Sequence, residues 1–406
     1  MARIVQKFGG TSVADIKHIG IAALRVKTEV DRGNDVAVVV SAMSGVTNQL
    51  IEYVTQVGQL HVTGEYDVVL SAGEQITSAL MALALNELGI QARSWLGWQL
   101  PVQTDSVHGN ATISHIVTNE IVSRFADGQV PVLAGFQGLS PENRITTLGR
   151  GGSDTSAVSL AAALGADRCD IFTDVDGVYT TDPRVVVSAR KLDKITYEEM
   201  LEMASLGAKV LQAKSVVMAM RSSVRLRVLS AFSESSGTLV VEEDEIVEQN
   251  VVSGIAYSRD EAKITLLRVD DQPGVAAAIF GPLADAGINV DMIVQNIAAD
   301  DQKTDITFTV SRADMARTLR MLDEIRDAMP YEAIMPDPNV VKVSVIGVGM
   351  RANAGIAKEM FQTLADEGIN ILLISTSEIK ISILIEEKYT ELAVRALHSA
   401  YGLDNA

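Results

Sequence analysis

The chain has 406 residues, which at roughly 100–200 residues per domain implies two or three domains rather than one. Its 34 basic and 52 acidic side chains leave a net charge of −18, which argues against nucleic acid and anionic membranes as partners, while 47% hydrophobic and 21% charged residues exclude a disordered chain. A single cysteine, Cys169, rules out an internal disulfide and a cysteine-rich zinc site, and five histidines leave little for a histidine metal cluster, so no protein-held metal site is expected.

Met1 to Phe8 runs directly into a strand-like pattern without an apolar leader, and no run reaches the ~18–20 apolar residues of a membrane span, so a cytoplasmic location is expected. As far as about Leu229, short β-branched runs alternate with amphipathic stretches. Ile4-Val5, Val36–Val40, Val130–Ala134 and Asp170–Thr173 lack in/out alternation, the pattern of parallel strands buried on both faces. Helices are expected over 15–29, 74–88, 155–164 and 197–221, the last entered through the capping box Thr196-x-x-Glu199. The fold class is α/β, an αβα sandwich with a mostly parallel sheet.

Motifs sit where these elements meet. Lys7-Phe-Gly-Gly-Thr-Ser12 follows the first strand: backbone amides and a helix N-terminus there suit phosphate oxygens, and Lys7 adds a cation. As an ordinary strand-to-helix turn it would use Ser12 as N-cap; the lysine at the strand end favours the phosphate reading. Ser41-Ala-Met-Ser-Gly-Val-Thr47 follows the second strand, its hydroxyls able to bind substrate or cap the next helix. Ser71-x-x-Glu74 reads as a capping box. In Leu148-Gly-Arg-Gly-Gly-Ser-Asp-Thr155, Asp154 can serve as N-cap, whereas Arg150 between glycines suits capture of a carboxylate or phosphate. Thr173 to Arg184 places three aspartates, Tyr179 and Arg184 after a buried strand; Asp174-x-Asp176-Gly lacks the later ligands of a calcium loop, and a nucleotide-contacting loop fits better. No P-loop lysine motif or dinucleotide fingerprint is present. Met200, Met203, Met218 and Met220 read as helix packing.

Residues 231–250, with Ser233-Glu-Ser-Ser-Gly237 and the acidic run 242–245, read as a linker closing a first domain at 1–230. Beyond it the chain repeats itself. Lys263–Val269, Pro273-Gly274 and a helix ending at Leu283–Asn289 match Lys342–Val348, Gly355 and a helix ending at Leu364–Asn370. Each copy continues with two strands and a helix, giving ferredoxin-like βαββαβ modules at 263–336 and 340–406. The first closes with a strand at Tyr331–Ile334. The second runs out of chain one strand short, so Val251–Tyr257, within 251–262, is expected to complete its sheet.

Taken in order, Lys7–Ser12, Gly149–Asp154 and Thr173–Tyr179 resemble the aspartate kinases, of the amino-acid kinase fold, and the paired modules resemble ACT domains; the resemblance spans essentially the whole chain. It implies ATP- and Mg²⁺-dependent phosphorylation of the side-chain carboxylate of L-aspartate, the entry to lysine, threonine and methionine synthesis. It implies catalytic roles for Lys7, Arg150 and Asp154, and a nucleotide site of Lys7, Gly9, Gly10, Ser12, Ser41, Thr173, Asp174, Tyr179, Arg184 and Lys209. The aspartate site would comprise Thr47, Glu74, Arg150, Gly151, Gly152 and Ser153, with Glu74 on the ammonium and Arg150 on a carboxylate. Effector amino acids, lysine and/or threonine, would bind Asp271, Pro273, Gly274, Val275 and Ala276 with Asn289, Val290, Asp291, Gln295 and Asn296. The equivalent positions of the second module are Ile356, Asn370, Ile371, Ser377 and Glu378, where Asn353-Ala354-Gly355 departs from the family's His-Pro-Gly. A homo-oligomer joined through the ACT modules, with or without a short regulatory chain, is the implied assembly. Other acyl or phosphate kinases of the same fold, and an amino-acid sensor without turnover, are the competing readings.

Overall fold

The β-branched runs near the N-terminus do become a buried parallel sheet. The computed structural model describes residues 1–58, 63–206, 210–246, 251–297, 303–327, 329–353 and 355–404. They fall into two compact units, Met1–Tyr179 with Lys191–Glu248, and Thr180–Arg190 with Gln249–Ala406.

The first unit runs β1 (Arg3–Phe8), α1 (Ile16–Asp31), β2 (Asp35–Val40), α2 (Val46–Val57), α3 (Gly64–Glu87), β3 (Ala92–Trp95), β4 (Val102–Thr104), β5 (Ile113–Ile116), α4 (Asn119–Ala126) and β6 (Val130–Ala134). It continues with β7 (Gln137–Leu139), β8 (Ile145–Thr147), α5 (Gly152–Leu164), β9 (Arg168–Thr173), β10 (Lys194–Thr196), α6 (Tyr197–Ser205), α7 (Ala213–Arg221), β11 (Leu226–Ser230) and β12 (Thr238–Val241). The main sheet has the order β10-β12-β11-β9-β1-β2-β6-β3, with β12 antiparallel to β11 and the other paired neighbours parallel. Phe8, Val36, Val38, Val40 and Phe172 share one core with residues of α1 and α3. Alternation along β1 therefore sends Lys7 to the opposite face.

Several boundaries differ from the sequence expectation. The helix expected at 74–88 starts ten residues earlier, at Gly64, capped by Thr63. Ser71 and Glu74 are thus interior, Ser71 Oγ bonding to the Val68 carbonyl, and no capping box forms there. This 24-residue apolar helix is long enough by composition to cross a membrane, but here it buries Leu70, Met81 and Leu85 in the core. The N-cap of α1 is Asp15, not Ser12. Asp154 lies in the first turn of α5, whose N-cap is Gly151. The single helix expected over 197–221 is two, α6 and α7, although the Thr196–Glu199 capping box forms as read. The supposed linker 231–250 contains β12, paired with β11 and β10, so the first unit extends past 230. Within that range, Thr180–Arg190 belongs to the second unit.

The second unit has β13 (Gly254–Asp270), α8 (Val275–Asp285), β14 (Asp291–Ile297), β15 (Lys303–Val310), α9 (Met315–Glu324), β16 (Ala333–Ile346), α10 (Gly355–Asp366), β17 (Leu373–Thr376), β18 (Lys380–Glu386) and α11 (Thr390–Ala400). One sheet, β14-β15-β13-β16-β18-β17, runs through both repeats. Its two central strands are long and shared. Gly254–Ser258 pairs with Lys342–Ile346, the strand flanked on its other side by β18, whereas Lys263–Leu267 pairs with Ala333–Asp337 and with β15. What the sequence reads as four separate strands, 251–257, 263–269, 331–334 and 342–348, is two strands with register shifts between Ser258 and Lys263, where the pairing changes from one repeat to the other.

Candidate active site

β9, β1 and β2 lie side by side and parallel, with Lys7 in register with Ile171 and Val39, so their carboxyl ends open together. Ligands in open parallel sheets bind beyond such strand ends. Phe8 and Phe172 stack with ring centroids 4.6 Å apart and hold this edge from below. Gly9 donates its N–H to the Phe172 carbonyl (3.0 Å) and Ser41 to the Phe8 carbonyl (3.0 Å), tying the Gly9–Gly10 loop to the loops after β9 and β2.

Lys7 meets the first turn of α5. Its Nζ is 2.6 Å from Asp154 Oδ1, and both side chains are 10% exposed. Gly151, with φ +73°, turns the chain into that helix, and Gly152 and Ser153 are buried behind it. The helix N-terminus contributes partial positive charge where its amides converge. The Ser12 hydroxyl, in the short 3₁₀ turn Gly10–Val13, is fully buried and has no hydrogen-bond partner among the described residues.

Glu74 reaches the site from α3. It is 4% exposed, accepts a hydrogen bond from the Ala42 N–H at 3.1 Å through Oε1, and leaves Oε2 without a partner among the described residues. Burial pushes its carboxyl up to about 7, against the opposing pull of the Ala42 amide and Lys7. A buried carboxylate with an open oxygen is a receptor for a cation. Thr47, half-buried, lies in the first turn of α2, the helix that follows the Ala42 loop. Arg150 is exposed between Gly149 and Gly151, both with positive φ, and forms no ion pair among the described residues.

The nucleotide set is gathered less completely. Thr173 closes β9 and its hydroxyl donates to Asp174 Oδ1 (3.0 Å), while the Tyr179 hydroxyl donates to Asp176 Oδ1 (2.8 Å). Arg184 lies in the second unit, its side chain 88% exposed and bonded to Asp182 at 2.8 Å and 3.0 Å. Lys209 lies outside the described residues. Sequence reading missed Gln212 and Lys214 of the segment opposite Gly151. A Cβ on Gly151 would stand 1.9 Å from Gln212 Cγ, and Lys214 Nζ bonds Asn110 Oδ1 at 2.6 Å. Their distance along the chain leaves no spacing signal.

Of the expected effector residues, Asp271, Pro273, Gly274 and Ala276 are exposed on the turn into α8, with Val275 buried as its first residue. Gln295 Nε2 reaches Asp271 Oδ1 at 3.4 Å, linking that turn to β14. Asn289 and Asn296 are exposed and Val290 is half-buried. Asp291 already has a cation: Lys342 Nζ lies 2.7 Å from it and 2.6 Å from Glu261, and although burial opposes ionisation this ammonium holds the Asp291 carboxyl below its ordinary value. In the second repeat Ile356 is buried on α10, Asn370 is exposed and Ile371 half-buried, the Ser377 N–H donates to the Lys380 carbonyl, and exposed Glu378 lies 3.5 Å from Arg351.

Comparison with known proteins shows the family of the fold. Residues 2–230 match the amino acid kinase family, and 268–325 with 343–401 match the ACT domain. The chain therefore belongs to the amino acid kinase family and carries ACT domains. It is 56% identical over 405 residues to an aspartate kinase of Stutzerimonas stutzeri and 55% identical over 406 residues to the aspartokinase of Pseudomonas aeruginosa, in each case spanning 100% of this chain and 98% of the relative. Among solved structures, Escherichia coli aspartokinase III in complex with aspartate and ADP is similar with TM-score 0.82 at 29% identity, over 98% of this chain and 99% of that one. The same enzyme with lysine and aspartate gives 0.77 at 28%, over 98% of each. Within its family, the chain is a member of the aspartate kinases.

Proposed function

We propose that the chain transfers the γ-phosphoryl group of ATP to the side-chain carboxylate of L-aspartate, giving 4-phospho-L-aspartate and ADP. The observation that carries this reading is the buried Lys7–Asp154 pair at the mouth of β1, beneath the Gly9–Gly10 loop and the N-terminus of α5. Phosphoryl transfer asks for positioning and charge neutralisation. The acceptor, a carboxylate with an unperturbed value of about 3.9, is already ionised at neutral pH, so no general base is required. Lys7 neutralises charge on the migrating phosphoryl group, and Asp154 keeps the ammonium extended toward it. Gly9, Gly10 and Ser12 hold phosphate oxygens. Glu74 receives the aspartate ammonium and Arg150 a carboxylate, with Thr47 and the Gly151–Ser153 backbone completing that site. Ser41, Thr173, Asp174 and Tyr179 contact the nucleotide, with Lys209 as a further cation. Among the described residues no three acidic, histidine or cysteine groups cluster as a metal cage, which fits Mg²⁺ entering on the ATP phosphates and supplying charge neutralisation there.

The ACT modules are the regulatory part: lysine, alone or with threonine, binds beside the Asp271–Ala276 turn, and the modules join copies of the chain into a homo-oligomer, with room for a short regulatory chain. The reaction stands at the start of lysine, threonine and methionine synthesis in the cytoplasm. Trapping of the acyl phosphate by hydroxylamine tests the reading. ATP with aspartate is expected to yield hydroxamate, Lys7→Ala to lose it by at least a hundredfold, and lysine with threonine to suppress it; product from glutamate but not aspartate would reject the assignment.

A further inference from the structure

Asp67 lies on α3 seven residues before Glu74, close to two turns at ~3.6 residues each, so the two carboxylates share a face of the helix. Asp67 is fully buried, and a buried carboxylate persists only when its oxygens are satisfied. Thr147 Oγ1 donates to Oδ1 at 2.5 Å, the Gly109 N–H lies 3.1 Å and 3.2 Å from the two oxygens, and His108 Nδ1 is 2.7 Å from Oδ2.

These partners all lead to one loop. Thr147 is the last residue of β8, two residues before Gly149, and its carbonyl accepts the Ala111 N–H at 2.9 Å. Gly149 in turn packs against the 109–110 turn, where a Cβ on it would stand 2.9 Å from Asn110 Oδ1 and 3.0 Å from the Gly109 carbonyl. The strand end that leads into Arg150 and the turn that packs against Gly149 are thus both fastened to one carboxylate on the helix that carries Glu74.

We propose that Asp67 is a positioning residue for the amino-acid substrate: it fixes the Arg150 loop relative to Glu74 and so sets the distance between carboxylate and ammonium receptors. It touches neither ligand itself. The inference rests on the aspartate reading above, because it concerns the two ends of that substrate.

The test is steady-state kinetics on the full chain with Thr147→Val, Thr147→Ser and Asp67→Asn. Thr147→Val removes the hydroxyl donor while keeping the shape of the side chain. It is expected to raise KM for aspartate roughly tenfold, the scale of one charge-assisted hydrogen bond, with KM for ATP and kcat within about twofold. Thr147→Ser restores the donor and should return KM to within about twofold of the parent chain. Asp67→Asn should raise it at least as far as Thr147→Val. An unchanged aspartate KM in Thr147→Val, or a parallel loss in both KM values that Thr147→Ser does not rescue, would overturn the proposal. Absence of aspartate turnover in the unsubstituted chain would instead overturn the activity reading.

Discussion

Glu74 is held in a state that a proton or a bound cation relieves. Its carboxyl rises from 4.5 to about 7 through burial, and one oxygen has no partner among the described residues. Because the folded-state value lies above the unfolded one, the folded chain holds a proton between those pH values that the unfolded chain has released. Stability therefore falls as pH rises through this window and levels off above about 7, by roughly 3 kcal/mol in all. Glu74→Gln removes the titration, so its melting temperature relative to the parent chain is expected to be higher at pH 8 than at pH 5, with aspartate turnover lost. Melting curves at both pH values check this, and an equal difference at the two would reject it. The exchange of stability for binding is common at functional sites. The sequence carried only part of this residue's story. The family resemblance put Glu74 on the substrate ammonium, but its local pattern read as a cap with Ser71, because Asp67, Ser71, Thr77 and Ser78 are polar residues on a buried face and blur the apolar stripe by which a helix start is read.

The same division between conformation and contact appears in α5. Both its flanking residues are glycines in the left-handed region, Gly151 at φ +73° and Gly165 at φ +57°. A side chain at Gly165 would meet nothing within 4 Å, whereas one at Gly151 would run into Gln212. Gly165→Ala should therefore cost only conformational strain, roughly 1–2 kcal/mol, and keep kcat/KM. Gly151→Ala carries the same strain and must also displace either Gln212 or the Arg150 loop, and is expected to lose at least tenfold in kcat/KM for aspartate. Thermal melts paired with kinetics separate the two, and equal turnover in both variants would show that the loop tolerates the shift. Strands β1, β2, β6 and β9 were legible because burial on both faces makes them continuous apolar runs. The small sheet β5-β4-β7-β8 was not, since strands of three or four residues are too short to show a period of two. The break between α6 and α7 was hidden because Leu206, Val210 and Leu211 continue the apolar texture of the helices on either side.

Across the whole molecule, the internal repeat was legible because two copies of one pattern align along the chain, whereas the path of the β9–β10 connection was not. That connection leaves the first unit after Tyr179 and returns at Lys191, and the segment between packs with the C-terminal helix of the second repeat. Nothing periodic marks such a docking; it rests on scattered single residues. Val185 and Val186 enter the core formed with Leu397 and Leu403, Arg395 Nε donates to the Val185 carbonyl and Arg190 Nε to the Leu403 carbonyl, both at 2.9 Å. At the centre, His398 is fully buried, with Nε2 2.9 Å from Thr180 Oγ1 and Nδ1 2.7 Å from Asp404 Oδ1. Asp404 also accepts hydrogen bonds from Ser188 at 2.6 Å and Ser399 at 3.0 Å. Burial lowers the His398 value, Asp404 opposes that, and Arg190 adds to it, leaving the imidazole below its ordinary value of 6.5. The unfolded chain thus takes up a proton first on acidification, so this site's stability is fully present above about 6.5 and is lost as pH falls through the lowered folded-state value. Asp404, held below the ordinary carboxylate range chiefly by the Ser188 hydroxyl, stays charged through this window. His398→Gln keeps hydrogen-bonding capacity without titrating, so its melting temperature should fall less steeply than that of the parent chain between pH 7 and pH 5. Parallel melting profiles over that range would place the acid sensitivity elsewhere in the molecule.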